Sequence, residues 1–163
     1  MMSEAVQVEK AQDAKEATEA PESSKLAVIL VRGIVGVTQQ VKDTLRMLNL
    51  TRKNSCVVVN NTPSLKGMIM KVKDYVTWGE ISDKTYQELV NKKGREFKGA
   101  VQDRKKKYSY KHVVVGNKKY APDFRLNPPL KGFGRKGIKV SFKAGGALGY
   151  RGEKMNELLA RMI

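Results

Sequence analysis

From Lys25 onward the chain alternates short apolar runs with amphipathic stretches. Lys25–Arg32 (KLAVILVR) is apolar and β-rich and closes at Gly33, which predicts a buried strand. Val37, Val41, Leu45 and Leu48 then recur at spacings of four, four and three, so a helix should open at Thr38. Arg52–Asn54 is a polar turn, and Ser55–Asn60 (SCVVVN) reads as a second strand. Thr62–Pro63 supplies an N-cap and a first-turn proline, followed by Leu65, Met68, Ile69 and Val72 on one helical stripe. Tyr75–Trp78 is a third strand that ends at Gly79. Each helix carries a single apolar stripe. The expected class is therefore α+β: a two-layer βαβαβ core over 25–80, with both helices on one face of a small sheet. The other face is left open for a later part of the chain.

Past residue 80 the pattern is less regular. Ser82 is a plausible cap for a third helix, with Ile81 and Tyr86 placed as a hydrophobic staple. Tyr86, Leu89 and Val90 form its stripe, and Lys92, Lys93 and Gly94 end it. Tyr110–Val115 and Lys118–Tyr120, joined by Gly116–Asn117, suggest a hairpin. Asn127–Pro128–Pro129 must be extended. Ile138, Val140 and Phe142 alternate with Lys139, Ser141 and Lys143, which predicts a strand with an apolar face and a basic face. Met155, Leu158, Leu159 and Met162 define a terminal helix on which Glu157 and Arg161 stand at pairing distance. The expected organisation is a tail over 1–24, the core over 25–80, and over 81–163 a helix, a basic extension and a C-terminal α/β subdomain.

Charge changes this picture. The 163 residues hold 32 Lys or Arg against 16 Asp or Glu, a net of +16. Residues 1–24 are acidic, with six carboxylates against Lys10 and Lys15, and lack aromatics, as expected of a disordered tail. From Lys92 to Lys143 there are 17 cations against only Glu96, Asp103 and Asp123. Clustering one sign costs self-repulsion, which is relieved when phosphates are neutralised and their counterions released. A polyanion is the expected partner. The face bearing Lys42, Arg46 and Asn49 points the same way, with Asp43 offsetting part of the repulsion.

Other chemistry is sparse. The only cysteine, Cys56, allows neither an internal disulfide nor a Cys-rich zinc site, and its strand setting makes it a core residue in a reducing, cytoplasmic compartment. The only histidine, His112, has no second ligand and no evident nucleophile to serve, so it is expected to be a bystander. The longest apolar run, Leu26–Val31, is six residues, against the roughly 20 of a membrane span. Gly132–Gly137 matches GxGxxG as a string, but a Pro-Pro loop precedes it and no helix pattern follows, so the dinucleotide reading fails. It suits a basic loop whose glycines let backbone approach phosphates. Gly33–Thr38 joins strand to helix without the Lys-Ser/Thr ending of a triphosphate loop, and reads as a tight turn. Arg104, Lys105, Lys106 and Lys107 precede Tyr108 and Tyr110, and Lys118–Lys119 precede Tyr120. Lysines neutralise phosphates, and tyrosines stack on unpaired bases or fill a strand's core; both readings of Tyr108 and Tyr110 stand. No catalytic residue, metal set, cofactor or small-molecule substrate is expected.

The blocks Ile34–Leu50, Thr51–Asn61 and Thr62–Ile81 together resemble the universal large-subunit ribosomal protein thirty family, whose eukaryotic relative is large-subunit protein seven. The likeness runs from Lys25 to about Arg95. It resumes at Phe124–Pro129 (FRLNPP), Gly132–Gly134 and Ser141–Ile163, the last block resembling the long archaeal and eukaryotic form. The resemblance implies a non-enzymatic constituent of the large ribosomal subunit and a ferredoxin-like core with a C-terminal α/β extension. It further implies rRNA as partner, with 5S rRNA and other ribosomal proteins as neighbours. A free-standing RNA-binding factor or chaperone is the alternative. Arg32, Lys42, Arg46, Arg52, Lys53, Lys66 and Lys71 lie in or beside the matching blocks and are expected rRNA contacts. Charge and loop placement add Arg125, Lys131, Arg135, Lys136, Lys139, Lys143 and Arg151 to the tracts 104–110 and 118–119. Glu96–Asp123 departs from the family, being shorter, basic and aromatic, so its fold cannot be carried over.

Overall fold

The computed structural model describes residues 25–163, and the expected acidic tail lies outside the described residues. In chain order the elements are β1 (Lys25–Leu30), α1 (Gln39–Met47), β2 (Ser55–Asn60), α2 (Pro63–Lys71), β3 (Val76–Glu80) and α3 (Asp83–Lys93). There follow β4 (Val113–Val115), β5 (Lys118–Tyr120), β6 (Asp123–Arg125), a 3-10 turn at Phe142–Ala144, β7 (Gly149–Tyr150) and α4 (Lys154–Met162).

The apolar run of β1 is buried from Leu26 to Leu30 because the strand is central and covered on both faces. The sheet order is β6-β2-β1-β3-β7, with β1 antiparallel to β2 and β3, β6 antiparallel to β2, and β7 parallel to β3. Strand side chains alternate between faces. Leu26, Val28 and Leu30 therefore pack with Leu45 and Leu48 near α1, Ile69 of α2, and Val76 and Trp78 of β3. Ala27 and Ile29 face the opposite way, with Cys56, Leu89, Val90, Phe124 and the α4 residues Met155, Leu158, Leu159 and Met162. The two-layer βαβαβ core is present with both helices on one face. The other face, left for a later part of the chain, is covered by α3 and α4, so the whole has three layers around one sheet.

The helix starts behave unevenly. The side-chain hydroxyl oxygens of Thr62 and Ser82 accept from the Leu65 and Thr85 amides at 3.4 Å, as N-caps should. Thr38 is extended at the start of α1, but its side chain makes no capping bond. Gly94 ends α3 with φ −62°, so its role is not left-handed backbone. A Cβ there would collide with the Val90 carbonyl oxygen and meet the Tyr120 ring at 2.9 Å, so close packing of Tyr120 calls for glycine. Gly79 is similar, since a Cβ would strike the Gly152 carbonyl and Met155 at the start of α4.

Two expectations need correction. Residues 138–143 do not form a strand; Ile138–Val140 turn, and Ser141 makes a lone bridge to Leu148 before the 3-10 turn. Period-two alternation is overridden because the segment folds on itself. The Ala147 and Leu148 amides donate to the Val140 carbonyl at 2.8 and 3.1 Å, and Gly146 packs against that carbonyl where no Cβ would fit. On α4, Arg161 does not pair with Glu157 but donates through Nη1 to the carbonyl oxygens of Leu130 and Gly132.

The β4–β5 hairpin forms as expected, with Val115 opposite Lys118 and Gly116 at φ 59° in the two-residue turn. Its first strand is shorter than Tyr110–Val115, because residues 101–110 fold back as a second small hairpin. Gln102 bridges Ser109, and the Tyr110 amide donates to the Val101 carbonyl at 3.0 Å.

Candidate nucleic-acid interface

The cations of 91–143 have little protein to satisfy them. Only Phe124, Leu126 and Pro129 in that segment are buried. Among the described residues the segment makes two ion pairs. Arg95 Nη2 lies 2.7 Å from both carboxylate oxygens of Asp123, and Lys118 Nζ lies 3.7 Å from Glu96. Its other cations have no carboxylate partner among the described residues.

Arg104, Lys105, Lys106 and Lys107 occupy the tip of the 102–109 hairpin, all exposed, with Lys106 held at φ 54° and its amide donating to the Asp103 carbonyl at 2.8 Å. Beside them Tyr108 and Tyr110 are 64% and 53% exposed, which removes them from the core and leaves their ring faces available for stacking. Lys107 Nζ lies 5.8 Å from the Tyr108 ring centroid. Lys118 and Lys119 are exposed on β5 and Arg125 on β6. Lys131, Arg135, Lys136, Lys139 and Lys143 are all exposed along the glycine-rich loop and the turn after it.

Within the core, Arg46, Arg52, Lys53, Lys66 and Lys71 are exposed, while Lys42 is half-buried. Arg46 is 3.9 Å from Asp43, a weak version of the expected pair. Arg32 is half-buried, donating to the Asp74 carbonyl at 3.2 Å and lying 4.9 Å from the Tyr75 ring centroid.

Arg151 differs from every other expected contact. It is 7% exposed, and Nε donates to Thr77 Oγ1 at 2.9 Å while Nη2 donates to the Phe133 and Ala147 carbonyls at 3.1 Å. Its guanidinium carbon sits 4.4 Å from the Phe142 ring centroid. Burial, and then the charge of Arg161, lower its pKa to about 10. It is first a tie between β3, the glycine-rich loop and the turn before β7.

Sequence reasoning did not place Lys111, Lys154 or Arg161 among the candidate contacts. Lys111 Nζ donates to the Met47 carbonyl at 2.9 Å and so holds the basic segment against the C-terminus of α1. Lys154 and Arg161 meet the glycine-rich loop only through the fold, and no local pattern marks them.

The remaining candidates have structural roles. Burial pushes the Cys56 thiol up to about 12. His112 Nδ1 donates to the Tyr110 carbonyl at 2.9 Å, and its ring stacks on Phe97 at 5.8 Å. Among the described residues no group of three or more His, Cys, Asp or Glu is placed to hold a metal ion. No described helix is long and apolar enough to cross a membrane.

Comparison with known proteins places this basic surface in a family. Residues 26–76 match the family described as ribosomal protein L30p/L7e. The chain is 44% identical over 157 residues to a large ribosomal subunit protein uL30 of Nanoarchaeum equitans, covering 84% of this chain and 97% of the relative. It is 41% identical over 150 residues to the uL30 protein of Methanopyrus kandleri, covering 82% and 100%. Over 152 residues it is 43% identical to that of Methanosphaera stadtmanae, covering 84% and 99%.

Proposed function

The chain belongs to the ribosomal protein L30p/L7e family, and on that premise we propose how its surfaces meet ribosomal RNA. It is a structural constituent of the large subunit of the cytoplasmic ribosome and not an enzyme. Its sheet and four helices hold a scaffold, and the segment 91–143 presents the phosphate-binding charge. The 102–109 hairpin carries Arg104–Lys107 to the RNA backbone, and Tyr108 and Tyr110 stack on unpaired bases. Exposed cations of α1, α2 and the turn at Arg52–Lys53 form a secondary contact.

The observation that carries this reading is the imbalance in 91–143, where 17 cations are answered by two ion pairs among the described residues. Exposed ion pairs stabilise by only about 0–1 kcal/mol each, so so many unpaired cations do not serve the fold. They serve binding, where each neutralised phosphate releases counterions. Folded RNA presents shape and phosphate rather than readable base edges in its helices, which suits a surface rich in Lys and Arg and poor in fixed acceptors.

The 5S rRNA is a proposed neighbour on the strength of the family resemblance. Ultraviolet cross-linking within intact large subunits tests both points. The expected result is RNA adducts at Tyr108 and Tyr110, some of them to 5S rRNA. Adducts confined to α1 and α2 would overturn the hairpin assignment, and complete absence of 5S adducts would remove that RNA as a neighbour.

A further inference from the structure

A cavity of about 290 Å³ lies between the glycine-rich loop and α4, lined by Lys131, Arg135, Arg151, Lys154 and Arg161 with Glu157 as its only lining carboxylate. Five cations around one cavity repel one another, and a single carboxylate cannot balance them. Among the described residues Lys131, Arg135 and Lys154 have no ion-pair or hydrogen-bond partner for their side chains. Arg161 is fixed by the Leu130 and Gly132 carbonyls through Nη1, which leaves its other guanidinium nitrogens unbonded to described protein groups. Arg151 is fixed through Nε and Nη2, and its Nη1 is likewise unbonded to described groups.

The walls are built and not merely charged. Arg151 and Arg161 are held by backbone carbonyls, so their free donors are placed before any ligand arrives. Gly132 adopts φ +76°, and Gly134 packs against the Gly146 carbonyl at a distance that excludes a Cβ. The loop can therefore lie close to the cavity while Phe133 and Phe142 supply its apolar side. Fixed guanidinium donors match the oxygens of a phosphate, and several cations around one cavity suit an anion with several oxygens to share among them.

We propose that this cavity is a seat for one phosphodiester of ribosomal RNA, bound by the free donors of Arg151 and Arg161 and by Lys154, with Lys131 and Arg135 at the rim. The proposal rests on the RNA-binding reading above and narrows it to a single phosphate shared by several cations. A phosphate monoester or free inorganic phosphate offers the same chemistry, and the test separates these sources.

In the first arm, the Nε–H resonance of Arg151 in the full chain is followed by NMR during titration with dimethyl phosphate and, separately, inorganic phosphate. Saturable movement with the diester supports the seat. Movement with inorganic phosphate alone overturns the diester assignment, and no movement with either overturns the seat. In the second arm, large-subunit rRNA affinity is measured against salt for the parent and for the double variant Arg135→Ala, Lys154→Ala, neither of which has a described structural partner. One phosphate that Arg151 and Arg161 still hold predicts weaker binding with a log–log slope flatter by no more than about 0.7–0.9, the value of one contact. A flattening about twice as large would mean two separate phosphates and overturn the shared seat, as would an unchanged affinity. If the seat alone is wrong, a variant lacking the cations of 104–107 still weakens rRNA binding; if the RNA-binding reading is wrong, that variant changes nothing either.

Discussion

The sheet with its helices and the segment 91–143 follow opposite rules. Around β1 nearly every apolar side chain is buried, and charged groups other than Arg151 are kept to the rim. Across 91–143 only Phe124, Leu126 and Pro129 reach the interior, while the cations outnumber their protein partners many times over. The first region is held by removing apolar surface from water, at about 25 cal/mol per Å². The second is anchored at few points and has charge that weakens the free protein through self-repulsion. Stability and binding are thus assigned to different stretches of one chain, and substitutions in the two should be read by different instruments.

The contrast breaks most readily at Phe124, where the basic segment touches the core. Phe124 is 1% exposed in the layer beneath α3 and α4 and pairs with Cys56 across the β2–β6 ladder. Phe124→Ala should cost about 3–5 kcal/mol, since a ring-sized cavity cannot collapse against a paired strand. A urea midpoint equal to the parent's would mean that the segment is not riveted there. Leu45→Ala, on the other face of the sheet, should cost about 2–4 kcal/mol through its own cavity. An unchanged midpoint would deny its core placement.

The pH dependence sharpens the comparison further. Burial pushes the Cys56 thiol up to about 12, whereas a thiol in the unfolded chain ionises near 8.5. Above that lower value the unfolded chain releases a proton that the native state keeps, so stability falls as pH rises. The parent should lose up to about 1.4 kcal/mol per pH unit between roughly 9 and 12 beyond what Cys56→Ala loses. Parallel stability–pH curves for the two would contradict full burial of the thiol. The smallest expected effect is at the surface pair Lys25–Asp83, 3.3 Å apart with the Asp83 side chain 83% exposed. Asp83→Asn should shift stability by less than about 1 kcal/mol, and a larger loss in the denaturant midpoint would show that surface charge does support this fold.

Much of the scaffold was legible because it depends on local patterns. The stripes at Val41, Leu45 and Leu48 and at Leu65, Ile69 and Val72 reported α1 and α2, and Thr62 and Ser82 reported the starts of α2 and α3. The continuous apolar run of β1 reported burial on both faces, although what covered the second face could not be read. β6 and β7 are three and two residues long, too short for any period to show. At 138–143 a genuine alternation was misleading, because glycines at 145 and 146 allow a closure that a strand would prevent. The structural role of Arg151 was hidden for a related reason. Its partners, Thr77, Phe133 and Ala147, come from separate parts of the chain, and a charge bound to distant carbonyls looks in sequence like any other surface cation. The basic tracts, by contrast, were visible at once, since exposed charge needs no partner to be recognised.

The division of labour between scaffold and basic segment is tested most directly by the salt dependence of large-subunit rRNA affinity after Arg104, Lys105, Lys106 and Lys107 are all replaced by Ala. These side chains are exposed at a hairpin tip, so the fold should be unaffected. If each meets a phosphate, the log affinity against log salt slope should flatten by roughly 3, at about 0.7–0.9 per contact. A slope identical to the parent's would contradict the account, because the most concentrated charge in the chain would then belong to solvent.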